Sequence, residues 1–191
     1  MSLLRPRAGR VYFPQISAPG TILAAANTIY ALPFVMSNSL VPDQIGIRVT
    51  TAGVGATAQC RLGIYADDGG RPGELIIDAG LLTGLDSLGA KTVAILLPHS
   101  LQLWGGTAYW LTSLFNTAGT TQPTVSASAA GAQSPMASAF GVPDMASLPN
   151  AAAGFVNGFA LAQTFGALPV RFPAGNPAAN AAIPLVGLRS A

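Results

Sequence analysis

The sequence predicts an all-β fold: a two-sheet antiparallel sandwich, jelly-roll-like, of about nine or ten strands with little helix. Three observations carry this. Apolar residues alternate with polar or small ones over short runs, the period of a half-buried strand. Gly, Pro, Asn and Asp interrupt those runs at turn-like intervals. No window sustains capped helical periodicity over about ten residues.

The elements follow in order. "TIYALPFVMS" (28–37) and "DQIGIRVTT" (43–51) are strand-like runs separated by the break "NSLVP". "TAQCRLGIYA" (57–66) places Cys60, Leu62, Ile64 and Ala66 on one face and Arg61, Gly63 and Tyr65 on the other. "GELIIDAG" (73–80) is the next run, and "AKTVAILL" (90–97) keeps Val93, Ile95 and Leu97 in phase. "TAYWLTSLF" (107–115) is rich in aromatic and β-branched residues. "PTVSASA" (123–129), "NGFALAQTFG" (157–166) and "IPLVGLR" (183–189) complete the set. Residues 1–12 read as an N-terminal arm and 13–191 as one sandwich domain, with a small-residue-rich, proline-broken loop at about 128–156. Long loops of this kind are usually functional or ordered by a partner.

Charge is the unusual feature. Only 8% of the 191 residues are charged, against roughly 25% in an ordinary soluble domain. Nine basic and seven acidic side chains cannot cover a free surface of this size, so part of that surface is expected to face other subunits of an oligomer. A net charge of +2 is too small to hold nucleic acid electrostatically. The one basic cluster, Arg5, Arg7 and Arg10, is a candidate subunit-contact arm. The uncharged stretches 11–42 and 145–170 are broken by Pro, Asn and Gly, so neither membrane insertion nor a signal peptide is expected. Cys60 is the single cysteine, which excludes an internal disulfide and reads as a small buried hydrophobe.

Four of the seven acids, Asp67, Asp68, Glu74 and Asp78, crowd into "RLGIYADDGGRPGELIIDAG" (61–80). "ADDGGRPGE" has the Asp-Gly, Gly-Gly and Pro-Gly chemistry of a tight turn, so the acids are expected to form the polar lip of a β-hairpin. The competing reading is a calcium site from Asp67, Asp68 and Glu74, but the spacing lacks the alternating acids of an EF-hand loop. "GVGATA" (53–58) spells a dinucleotide loop, yet a strand rather than a helix follows it. No cofactor is expected. His99 is the single histidine, and no G-x-S-x-G elbow accompanies it, so no catalytic set is assigned. Trp104, Tyr109 and Trp110 form a candidate glycan platform, although Tyr109 and Trp110 alternate across a strand and at least one belongs to the core.

The passage "DQIGIRVTT…AQCRLGIYADDGGRPGELIIDAG…GAKTVAILLPHSLQLWGGTAYWLTS" resembles a β-sandwich module of tailed-bacteriophage virion proteins, found in tail, fibre, head-spike and decoration components. The lead-in "VYFPQ…NTIYALPFVM" and the close "LPVRFPAGNPAANAAIPLVGLR" are similar to the flanks of such proteins, so the likeness runs from about Val11 to Arg189. The chain departs from the pattern at "LWGGTA", where members often carry a Pro-Gly turn. The resemblance implies a non-enzymatic component of a tail, fibre or spike, assembled in the host cytoplasm into a virion. Its implied partners are other virion subunits and, through attachment, a host-surface glycan. Two other roles fit the residues: a capsid decoration protein that cements the shell, and a free carbohydrate-binding module.

Overall fold

The structure, a computed structural model, describes residues 5–16, 18–55, 58–96, 101–116, 120–130, 156–179 and 181–191. These residues form thirteen strands and no helix: β1 (Val11–Tyr12), β2 (Pro19–Leu23), β3 (Thr28–Val35), β4 (Pro42–Thr51), β5 (Cys60–Asp67), β6 (Pro72–Leu82), β7 (Gly89–Ala94), β8 (Ala108–Phe115), β9 (Thr124–Ser128), β10 (Val156–Ala162), β11 (Ala178–Ala179), β12 (Ile183–Pro184) and β13 (Gly187–Ser190). The first sheet runs β1-β13-β4-β9-β12, with β2 also on β9 and β7 also on β4. The second runs β11-β10-β3-β8-β5-β6. Every pairing is antiparallel. The expected two-sheet sandwich is the fold.

Period-2 side-chain alternation builds the core between the sheets. Ile45, Ile47 and Val49 of β4, Val125 of β9 and Leu188 of β13 point inward from the first sheet. Tyr30, Leu32 and Phe34 of β3, Cys60, Leu62 and Ile64 of β5, and Tyr109, Leu111 and Phe115 of β8 meet them from the second. The run expected as one strand at 183–189 is split into β12 and β13, because Leu185 turns its N–H to the Ser126 carbonyl 2.8 Å away. The expected 128–156 loop falls almost wholly on residues 131–155, which lie outside those described.

The second sheet carries a second core on its other face. Ile29, Ala31, Tyr65, Trp110, Leu114 and Phe159 point away from the sandwich yet are buried, under Leu168 and Phe172. Their cover is residues 163–175, a strap without regular structure that runs back over the sheet after β10. Edge-to-face pairs lock it: Tyr65 with Phe172 at 5.3 Å, Trp110 with Phe159 at 5.4 Å, and Phe159 with Phe172 at 5.9 Å between centroids. Arg61, Gly63 and Tyr65, expected on the face opposite Cys60, Leu62 and Ile64, therefore lie under or beside an apolar lid.

Gly63 is where the strap sits closest. A Cβ there would collide with Leu168 Cδ1 and stand 2.6 Å from the Ile77 carbonyl oxygen, which is backbone and cannot swing aside. Gly63→Ala is expected to destabilise the protein by about 1–3 kcal/mol through overpacking and to accelerate exchange of the Leu168 amide. Urea unfolding and hydrogen exchange check this. Wild-type stability with an equally protected Leu168 would show that the strap does not rest on this glycine.

Candidate functional site

The acid-rich hairpin is β5–β6, and its turn spans Asp68–Arg71. Gly69 and Gly70 take φ of 64° and 84°, left-handed values that glycine adopts without strain. The Asp68 N–H donates to the Arg71 carbonyl at 2.8 Å. Asp67 Oδ2 accepts the Gly70 N–H at 3.2 Å, and Oδ1 accepts the Trp110 indole N–H at 2.8 Å. The turn chemistry and the second core thus share one carboxylate.

The other acids hold the strap. Asp78 Oδ2 accepts the Leu168 N–H at 3.0 Å and pairs with Arg61 at 3.0 Å, while Oδ1 accepts the Gly80 N–H at 2.9 Å. Asp68 pairs with Arg171 at 2.7 Å. Backbone bonds run alongside, from the Leu75 N–H to the Val170 carbonyl at 2.8 Å and from the Phe172 N–H to the Gly73 carbonyl at 2.9 Å. Tyr65 donates its hydroxyl to the Pro169 carbonyl at 2.8 Å. Burial, and then the nearby Asp78 charge, raise the Tyr65 phenol above its ordinary range, so it remains a neutral donor. Glu74 is exposed on β6 and bridges Arg171 through backbone alone. Among the described residues no three of His, Cys, Asp and Glu are grouped to hold a metal ion, so Asp67, Asp68 and Glu74 form no such set.

The aromatic platform needs correction. Trp104 is 61% exposed, but Tyr109 and Trp110 are both buried, one on each face of β8. Alternation required only one of them to be core. The strap supplies the second core that takes the other. The Tyr109 hydroxyl accepts the Trp104 N–H at 2.8 Å, so it props the Trp104 turn from inside and offers no face to a sugar.

The first sheet's outer face is built differently. Gln44, Gly46 and Arg48 of β4, Ala90 and Thr92 of β7, Ser126 of β9, and Gly187 and Arg189 of β13 face outward, with Leu185, Val11 and Phe13 beside them. They line an open trough of about 310 Å³. Val11 and Phe13 are 59% and 56% exposed at its rim. Arg189 is paired with Asp43 at 2.5 Å, which staples β13 to the start of β4. Described residues do not cover this face as the strap covers the other.

The remaining candidates are quickly placed. Arg5, Arg7 and Arg10 are exposed, yet the backbone around them is tied down: Gly9 N–H donates to Ser190 O and Ser190 N–H to Arg10 O, both at 2.9 Å. Through Val11 and Tyr12, paired with Arg189 and Leu188, the described part of the expected arm joins the first sheet. Cys60 is buried, and desolvation pushes its thiol well above the ordinary range, so it is unreactive packing. His99 lies outside the described residues. Among the described residues no helix is long and apolar enough to cross a membrane. No protein-family model, curated protein or solved structure matches this chain.

Two predictions follow from the carboxylates. Asp78→Ala strips partners from Arg61 and from the Leu168 N–H and is expected to cost about 2–3 kcal/mol, whereas Asp68→Ala, at an exposed pair, should stay within about 1 kcal/mol. Equal costs in urea unfolding would remove Asp78 as the strap's anchor. The second concerns pH. The Arg189 guanidinium, first by hydrogen bonding and then by charge, holds the Asp43 carboxyl below its usual value. Its contribution is therefore complete above the unfolded carboxyl's pKa of about 3.9 and fades as pH falls through the lower folded value. Asp43→Asn should narrow the stability gap between neutral and strongly acidic solution, by a small amount because the pair is half-exposed. An unchanged gap would show that Asp43 carries no such linkage.

Proposed function

We propose that this chain is a non-enzymatic structural subunit of a tailed-bacteriophage or phage-like particle, of the tail, fibre or spike kind, working in assembly and host attachment. One observation supports it above the rest: the two outer faces of the sandwich are treated unequally. The second sheet's outer face is apolar and the chain covers it with its own strap. The first sheet's outer face sets Gly46, Ala90, Thr92, Ser126 and Gly187 among Gln44, Arg48 and Arg189, with Val11 and Phe13 exposed beside them and no strap of described residues over it. Small side chains let another backbone approach closely, and an exposed apolar rim favours contact over solvent. A chain with nine basic and seven acidic residues has little else with which to hold water at its surface. The resemblance of the hairpin and the "YWL" strand to virion sandwich modules points to the same kind of role.

In particles purified from producing cells, mass spectrometry and electron microscopy should find the chain as a stoichiometric component. Thr92→Arg, at an exposed outward position beside Gly46, is expected to leave the melting temperature unchanged and to abolish incorporation. A chain absent from particles and monomeric by sedimentation would overturn the reading. Location on the shell with raised shell stability would replace the tail role with decoration.

A further inference from the structure

We propose that the tip of the β5–β6 hairpin and the strap together bind a small carboxylate-bearing sugar, of uronic-acid type, between Arg71 and Arg171. The proposal does not depend on where, or whether, the chain sits in a particle.

Residues a hundred positions apart in sequence converge here. The hairpin turn brings Asp68, Arg71 and Pro72, and the strap brings Arg171 and Phe172, around a cavity of about 200 Å³ floored by Phe159. Register is fixed by the backbone bridge between Glu74 and Arg171 and by the Phe172 N–H on the Gly73 carbonyl. The Arg71 guanidinium lies 5.7 Å from the Phe159 ring centroid and donates through Nη2 to the Gly175 carbonyl. Arg171 donates through Nη2 to Asp68. Each guanidinium has five N–H donors, and each gives one hydrogen bond to a described residue. Both arginines are exposed and line the cavity.

The charge selects the ligand. Two guanidinium groups and one carboxylate leave a single positive charge in the cavity. A monoanion neutralises it, and a planar carboxylate matches the fork of a guanidinium with two parallel hydrogen bonds. A phosphate dianion would leave a charge uncompensated. Pro173 and Ala174, the less buried apolar residues of the lining, offer contact to the carbon face of a ring. The volume is below the roughly 300–1,000 Å³ of pockets for larger ligands, and it suits one sugar unit. A longer glycan would present that unit at its end or side.

The test titrates the full chain with sodium glucuronate, with methyl glucoside and with inorganic phosphate, following backbone amides by two-dimensional NMR. Glucuronate should shift Gly69, Gly70, Arg171 and Phe172 saturably, and methyl glucoside should not. Arg171→Gln is expected to weaken binding about tenfold, the loss of one charge-assisted contact. Asp68→Asn is expected to tighten it, because it frees Arg171 and raises the cavity's charge. A purely structural salt bridge would not move binding in opposite directions. Both substitutions fall on an exposed pair whose loss the fold should tolerate, and dispersed spectra verify that. Absent saturation, equal shifts with the neutral sugar, tighter binding of phosphate, or two variants that bind like wild type would each overturn the proposal.

Discussion

The outer face of the second sheet can be apolar only because residues 163–175 lie over it, and they can lie there only because their backbone polar groups find partners. An irregular segment pressed onto a hydrophobic surface has no ladder of its own, and each unpaired N–H or C=O left under it would cost about 1–3 kcal/mol. The hairpin meets that need. Asp78 takes the Leu168 N–H, the Tyr65 hydroxyl serves the Pro169 carbonyl, and Gly73 and Leu75 pair with Phe172 and Val170. Asn27, itself left-handed at φ 52°, holds the strap's start through bonds from the Gln163 and Phe165 N–H groups. Burial of Trp110, Tyr65 and Phe159 drives the arrangement, and the carboxylates and carbonyls make it specific.

That constraint explains why the acids are concentrated in one place. In a chain with so few charges, three of the four clustered carboxylates have a partner to hold. Asp67 couples the turn to the indole of Trp110, Asp78 couples Arg61 to the strap, and Asp68 couples Arg171 to the hairpin tip. Asp43 does the corresponding work across the sandwich, where it fastens the C-terminal strand to β4. Exposed ion pairs contribute little individually, so their value lies in register rather than in total stability.

Much of this was legible in the sequence where the relevant period is local. Alternation located β3 to β10 to within a few residues, and the Asp-Gly-Gly turn chemistry identified the hairpin lip. β1, β11 and β12 are two residues long and β2 begins Pro19–Gly20, too little pattern to separate from loop. The faces were assigned correctly for Cys60, Leu62 and Ile64, but alternation cannot say what covers the opposite face. Tyr65 and Gly63 do lie on the opposite face, and the strap that buries them has no signal in the local alternation. Trp110 shows the same gap: its partners Asp67 and Phe159 lie 43 and 49 positions away, and no local signal connects them. The cavity between Arg71 and Arg171 was invisible for that reason, since nothing in "GGRPGE" or "PVRFPA" announces the other.

The two faces of the sandwich solve one problem in opposite ways. A β-sheet two residues deep in alternation has an inside and an outside, and the outside must be polar, covered or in contact. The second sheet chose large aromatics outside and therefore needed a cover from its own chain. The first sheet mixes small residues (Gly46, Ala90, Thr92, Ser126 and Gly187) with Gln44, Arg48 and Arg189, and leaves Val11 and Phe13 exposed at its edge. On the proposed assembly role, the small residues of that face have little side-chain entropy to lose when a neighbour docks. Arg48, the cation on that face without an ion pair to a described residue, would then set the orientation of whatever docks. On the role proposed above, a neighbouring subunit would meet Arg48 with a carboxylate.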